Sequence, residues 1–404
     1  MSQTKAQLVS GTTAQDLTVD NINTSSINSG QASGRKNLII NGAMNIAQRT
    51  TSGSTTEGYA TIDRFATLRS GNDEGPTASQ ADVASGTTPY SLGFRKSFKV
   101  TNGNQTSGAG TTSTSGIVTR LEAQDMATSG WNYTSSSSYI TLSFWVKASV
   151  SQNYYFSVFT QDGTSFQYTM ETGVLTADTW TKITKTIPGN SNLQFDTDTE
   201  ANRVARGFDV QWIMFRGTAS TGTRPLNAWA AVDSATRSPD MTSTWYTTND
   251  STFEITGVQL EVGSTATDFE HMSFDEDLAL CQRYCYVTPY GGNSTSSAGQ
   301  EETVQGSASY AATDNDARFM ITFPRPMRVT PSYTGSNTVA KVRSKNTSAN
   351  FNLSTGPSSF LNKTAYNMRS MNFSVGGLTS YGNSSSGTIE FNQAGGFMKF
   401  ESEL

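Results

Sequence analysis

The chain has 404 residues, which favours two or three domains with cores large enough to need no staples. Charged residues make up 15%, net charge is −5, and there are one His and two Cys. This excludes a disulfide-framed scaffold, a long coiled coil and a zinc centre built from His and Cys, and it argues against a nucleic-acid partner. Thr, Tyr, Phe and Trp set among Gly and Asn read as short strands joined by turns, so the expected fold class is all-β.

Residues 1–36 are polar, with sparse aliphatics at Leu17, Val19, Ile22 and Ile27. One chain alone cannot bury enough there to offset backbone entropy, so the segment reads either as a disordered leader or as an arm that orders against partner chains. Its start, Met1-Ser-Gln-Thr-Lys-Ala-Gln, has no apolar core of the signal-peptide kind. No apolar run in the chain reaches the roughly 18 residues of a membrane span. The expectation is a soluble chain that is not exported by a cleaved leader.

From Asn37 the texture changes, and a packed domain is expected over 37–272. Tyr139–Lys147 alternates, with Ile140, Leu142, Phe144 and Val146 on one face and Thr141, Ser143, Trp145 and Lys147 on the other. Residues 154–159, 180–187, 208–215 and 253–262 read the same way, and Gly257 marks an expected bulge where the phase slips. Such strands predict a two-sheet sandwich. Stretches near 70–90, 101–115 and 217–250 carry little apolar periodicity and are expected as surface loops.

Ser273-Phe-Asp-Glu276 predicts a capping box, and a helix of about a dozen residues is expected over 273–286. Asp275, Glu276 and Asp277 suit its positive end and Arg283 the other. Phe274, Leu278, Cys281 and Cys285 would form its apolar stripe. Residues 287–404 read as a further β-rich domain, with a loop at 291–299 and strands at 317–323, 368–375, 387–391 and 396–400. The densest basic stretch, Lys341-Val-Arg-Ser-Lys345, reads as a solvated loop.

Chemistry-bearing motifs are scarce. His271 is the single histidine, no Gly-x-Ser-x-Gly turn exists, and no phosphate-cradling glycine loop is present. Asp63, Asp125, Asp162, Asp209 and Glu261 could supply a glycosidase pair from distant strands, but no spacing marks two of them. Asn72-Asp-Glu74 and Asn249-Asp250 offer too few oxygen ligands to define a calcium site. No enzyme activity, cofactor or metal is expected. Trp131, Tyr133, Trp229, Trp245 and Tyr246 fall in polar loops, where an aromatic face can stack on a sugar ring, or can instead plug a loop onto its own sandwich or a neighbouring subunit. Trp145, Trp180 and Trp212 lie in strands and read mainly as packing.

Asn37-Leu-Ile-Ile-Asn-Gly-Ala-Met-Asn-Ile-Ala-Gln-Arg-Thr50, with Tyr59-Ala-Thr-Ile-Asp-Arg-Phe65, resembles the opening of a domain common in bacteriophage tail fibres and related virion proteins. Ile255–Gly263, Thr267-Asp-Phe-Glu-His271 and Leu278–Tyr286 resemble its close and its following helix. Tyr139–Lys147 is similar to a strand of carbohydrate-binding-module-like jelly rolls, and Phe323–Pro331 to a turn in the fibres' C-terminal β domain. The resemblance implies a jelly-roll domain (37–272), a linking helix (273–286), a C-terminal β-sandwich (287–404) and a homotrimer. Residues 1–36 would attach it to phage tail or adaptor proteins. It would be a virion component assembled in the host cytoplasm, with no membrane insertion, adhering to host cell-surface glycan. The helix stripe would then pack around a three-fold axis or on the chain's own sandwich. The alternatives are a structural stem, adaptor or decoration protein without receptor contact, and a polysaccharide depolymerase.

Overall fold

The computed structural model describes the backbone of residues 26–27, 30–31, 35–288, 302–304, 307–311, 316–335, 339–344, 347–352, 368–375, 387–391 and 397–404, with side chains for 35–288, 320–335, 368–371 and 397–404. Most of the expected arm and the loop at 291–299 lie outside these residues. Within the arm, β1 (Ser26–Ile27) and β2 (Gly30–Gln31) pair as a small antiparallel ribbon.

Eleven strands build the sandwich: β3 (Phe65–Ser70), β4 (Thr77–Asp82), β5 (Lys96–Thr101), β6 (Thr114–Glu122), β7 (Tyr139–Ala148), β8 (Asn153–Thr160), β9 (Phe166–Val174), β10 (Thr181–Pro188), β11 (Arg206–Arg216), β12 (Trp229–Ala231) and β13 (Thr252–Val262). One sheet runs β10-β7-β13-β5-β4 and the other β12-β9-β8-β11-β6-β3, and every ladder is antiparallel. β13 lies between β7 and β5, so the chain crosses between sheets as in a jelly roll.

The alternation in β7 does what its pattern dictates. Ile140, Leu142, Phe144 and Val146 are fully buried. Phe144 meets Phe156 edge-on at 5.0 Å and Trp212 at 5.5 Å, which joins the two sheets. Each such side chain contributes roughly 1.5–3 kcal/mol by leaving water. The expected bulge is present: the β13–β7 register shifts between Thr256 and Gln259, and Gly257 has φ +61°. That extra residue keeps both Ile255 and Val258 in the core.

Three expectations need correction. The stretch 70–90 contains β4, whose sequence Thr-Ala-Ser-Gln-Ala-Asp is too small and polar to show apolar periodicity. The 217–250 stretch is not wholly a surface loop, because Trp245 and Tyr246 on its short helix are buried in the core. The linking helix spans only Phe274–Cys281, with the capping box formed as expected.

The helix stops because the next residues are held elsewhere. Arg283 donates to both Glu122 oxygens at 2.6 and 2.8 Å, and the Tyr284 hydroxyl donates to Glu122 at 2.6 Å. Arg283 therefore pairs with a strand carboxylate and does not sit in the helix's last turn. Cys285 opens β14 (Cys285–Thr288) and is not part of the helical stripe. Both thiols are buried and unpaired. Leu278, Cys281 and Tyr284 pack on Ile40 and Ile46, so the stripe covers the chain's own entry segment.

Segments 37–50 and 59–65 form a joint with β13, the helix exit and residues 401–403. Asn37 Nδ2 donates to the Val258 carbonyl at 3.0 Å, while Asn37 Oδ1 accepts from the Leu260 amide. Gly42 lies so close to the β13 bulge that a Cβ would fall 2.0 Å from the Val258 oxygen. Arg49 reaches Asp63 at 3.2 Å, Glu401 at 2.7 Å and Glu403 at 2.9 Å. Arg64 pairs with Glu403 and lies 3.5 Å over the Tyr284 ring. Arg328 donates to the Ser402 and Glu403 carbonyls, both at 2.7 Å. The sandwich entry is thus tied to its last strand by amide hydrogen bonds, and to the helix exit and residues 401–403 by buried charge.

The remaining strands are β15 (Glu302–Val304), β16 (Ser307–Ala311), β17 (Asp316–Thr322), β18 (Ser332–Gly335), β19 (Val339–Ser344), β20 (Thr347–Asn352), β21 (Ser370–Val375), β22 (Gly387–Phe391) and β23 (Met398–Glu401). They form three antiparallel sheets, β14-β23-β18, β15-β22-β19-β20 and β16-β17-β21. The basic stretch from Lys341 to Ser344 belongs to β19, which corrects its reading as a loop.

Candidate functional site

The outer face of the five-stranded sheet carries a cavity of about 230 Å³. Its floor comes from β7 and β10. Trp145 and Ser143 point outward from β7, and Lys182 is the register partner of Trp145 on β10. Its walls are two loops, one bringing Leu92 and Phe94, the other Thr267, Asp268, Phe269 and His271. The indole of Trp145 is half-buried while His271, Lys182 and Asp268 are exposed, so the ring lies in an open groove.

The walls are held by their own contacts. Phe94 meets Phe269 edge-on at 4.9 Å, His271 is 5.2 Å from Phe94 and 5.0 Å from Phe269, and His271 Nε2 hydrogen-bonds the Leu92 carbonyl at 2.9 Å. Gly257 makes room for this cluster, since a Cβ there would sit 2.6 Å from the Phe94 ring. Beneath the second loop, buried Glu261 accepts from Gln259 Nε2 at 2.8 Å and from the amide and hydroxyl of Thr267 at 2.9 and 2.6 Å. A second half-buried indole, Trp180, joins the same apolar cluster as Trp145 and Phe94. Lys147 lies 5.1 Å from the Trp180 ring centre and pairs with Glu254 at 3.0 Å. An aromatic floor with hydroxyl, carboxylate and ammonium groups at its edge can stack on the apolar face of a sugar and bond its hydroxyls.

The rings expected from the loops do not form this site. Trp131, Trp245 and Tyr246 are buried, so of the two readings open to the loop rings they follow the one in which a ring plugs its loop onto its own sandwich. Trp131 Nε1 donates to the Ser138 carbonyl at 3.2 Å, and Trp245 Nε1 to the Thr252 carbonyl at 3.0 Å. Tyr246 stacks on Phe215 at 4.6 Å, and its hydroxyl donates to the Gly71 carbonyl at 3.0 Å. Tyr133 and Trp229 are half-buried: Tyr133 meets Phe195 edge-on at 4.8 Å, and Trp229 Nε1 donates to the Pro188 carbonyl at 2.7 Å. Each ring anchors a loop to its own sandwich. Sequence reasoning missed Trp145 and Trp180, yet the signal was present, because a Trp on the polar face of an alternating strand has no core to fill.

The five candidate carboxylates are dispersed in role. Asp63 is in the joint, Asp209 pairs with Arg206 and with Arg120, Glu261 braces a groove wall, and Asp162 accepts the Asp196 amide. Asp125 borders Arg64 and Tyr284. Among the described residues, no group of three or more His, Cys, Asp or Glu is set to hold a metal ion. No described helix is long and apolar enough to cross a membrane.

No family model matches the sequence, and no curated protein matches it. Solved structures similar to this chain include the enzymatically active domain of a bacteriophage CBA120 tailspike protein, at 10% identity over 56% of this chain and 21% of that one (TM-score 0.30). They also include a family 11 carbohydrate-binding module of Clostridium thermocellum with a bound tetrasaccharide, at 11% identity over 52% and 96% (TM-score 0.24). A third is the N-terminal cellulose-binding domain of a Cellulomonas fimi glucanase, at 9% identity over 54% and 98% (TM-score 0.26).

Proposed function

We propose that the chain is a non-enzymatic adhesion protein of a phage tail fibre, gripping host cell-surface glycan in the groove floored by Trp145. The observation that carries the glycan reading is the half-buried indole of Trp145 in an open, polar-edged cavity on the sheet's outer face. A ring so placed contributes little to the core and is available to a flat apolar partner. The phage assignment rests on the sequence resemblance. It brings with it a homotrimer, attachment through residues 1–36 and a place on the virion, where repeated weak contacts would combine into firm adhesion. Glycan arrays and host envelope polysaccharide, probed with the purified chain, test the reading. Binding that Trp145→Ala abolishes is expected, and a folded protein that binds no host glycan overturns it. Light scattering tests the trimer, which a mass near the monomer's 43.4 kDa would remove.

A second reading, a purely structural virion protein, draws on the joint, where the resembling segments 37–50 and 59–65 hold the sandwich entry to residues 401–403. It predicts particles that assemble normally and adsorb normally when Trp145 is replaced.

A further inference from the structure

A second cavity, of about 240 Å³, lies on the other sheet where the chain leaves β11, walled by the loops around 109–111, 217–221 and 240–243. Arg216 lines it and is 8% exposed. Its one side-chain hydrogen bond among the described residues runs from Nη1 to the Ser238 hydroxyl at 3.0 Å. No carboxylate of the described residues lies within the 4.0 Å of an ion pair.

Three other arginines of this half of the sandwich are provided for. Arg206 and Arg120 share Asp209, and Arg224 donates to the Ala230 and Ala231 carbonyls at 3.1 and 2.9 Å. Arg216 has neither a counter-charge nor a set of carbonyls. Its charged neighbours are Arg237, which repels it, and Asp240 across the cavity, whose Oδ1 takes the Thr221 hydroxyl at 2.7 Å. Burial and Arg237 together push the Arg216 pKa down to about 10, so the cation is held at a free-energy cost the fold does not itself offset.

We infer that this cavity is a binding subsite for one acidic sugar residue, whose carboxylate pairs with Arg216. A guanidinium fork suits a planar carboxylate in two parallel bonds. Phe215 and Met241 supply an apolar wall for a ring, and Asp240 supplies an acceptor for its hydroxyls. A bare anion would meet Asp240 with nothing to gain from it, whereas a uronate carries both the carboxylate and the hydroxyls. The subsite is separate from the Trp145 groove and stands without it.

The test is calorimetric or ligand-observed NMR titration of the whole chain with D-glucuronate, D-glucose and inorganic phosphate. Glucuronate is expected to bind at least about tenfold more tightly than glucose, reflecting a charge-assisted pair. Equal binding of the two sugars overturns the inference, and so does phosphate binding without glucuronate binding. Arg216→Met is expected to lose glucuronate binding while keeping or raising Tm in buffer, since it removes an uncompensated charge. A variant that still binds glucuronate overturns the proposal, and so does one that folds with a clearly lower Tm, the mark of a structural arginine. Should Arg216→Met fail to fold, Thr218→Trp, placed on the exposed rim, keeps Arg216 and fills the cavity. It is expected to abolish glucuronate binding, and retained binding overturns the assignment.

Discussion

Trp145 and Trp245 are one residue type put to opposite uses. Trp245 is fully buried with its indole nitrogen satisfied, so Trp245→Ala should cost about 3–5 kcal/mol in denaturant unfolding. Trp145→Ala, at a half-buried outward position, should cost about 1 kcal/mol or less and remove glycan binding. The joint offers a second test at this scale. Burial pushes Asp63 up to about 6, against the pull of Arg49 and Gln48. The folded carboxyl thus holds its proton more tightly than the unfolded one, which titrates near about 4. Its contribution is fully present below that pH and is lost as pH rises through 6. Between pH 7 and 5 the native chain should therefore gain about 1 kcal/mol relative to Asp63→Asn, read as Tm or unfolding free energy against pH.

At the scale of elements, β7 was legible residue by residue, and so was the bulge at Gly257. Alternation records which side of a strand faces the core, and both outcomes follow from it. β4 was not legible, because Ala and Ser pair at a sheet edge without leaving an apolar rhythm. The loop aromatics stayed open between two readings for a related reason: a polar neighbourhood in sequence says nothing about whether the fold returns a ring to the core, as it does for Trp131 and Tyr246. The groove was half legible, since the outward face of Trp145 was known but the walls come from segments far away in sequence. Gly257→Val tests their dependence on the bulge. It forces a β-branched residue to positive φ and drives into Phe94, so it should destabilise by roughly 1–3 kcal/mol and weaken glycan binding together. Binding unchanged alongside the stability loss would show that Phe94 does not shape the groove.

Across the whole molecule, the joint outweighs any surface pairing. Arg49 and Arg64 are nearly excluded from solvent, and residues 401–403 supply two of the carboxylates that face them. Glu403→Gln leaves both cations short of a partner and should cost about 3–5 kcal/mol in urea unfolding, far above the fraction of a kcal/mol expected for the exposed Lys96–Asp82 pair. Arg49 and Glu401 are 352 positions apart. Closing so long a loop is entropically expensive, so this contact forms late in folding. On the ribosome, Arg64 emerges hundreds of residues before Glu403, and Arg49 meets Asp63 early but Glu401 and Glu403 only much later. A nascent sandwich that shut around them early would hold Arg64 in its seam without its carboxylate and Arg49 with Asp63 alone. A chain cut before residue 401 would therefore carry a defect that its own first strands cannot hide.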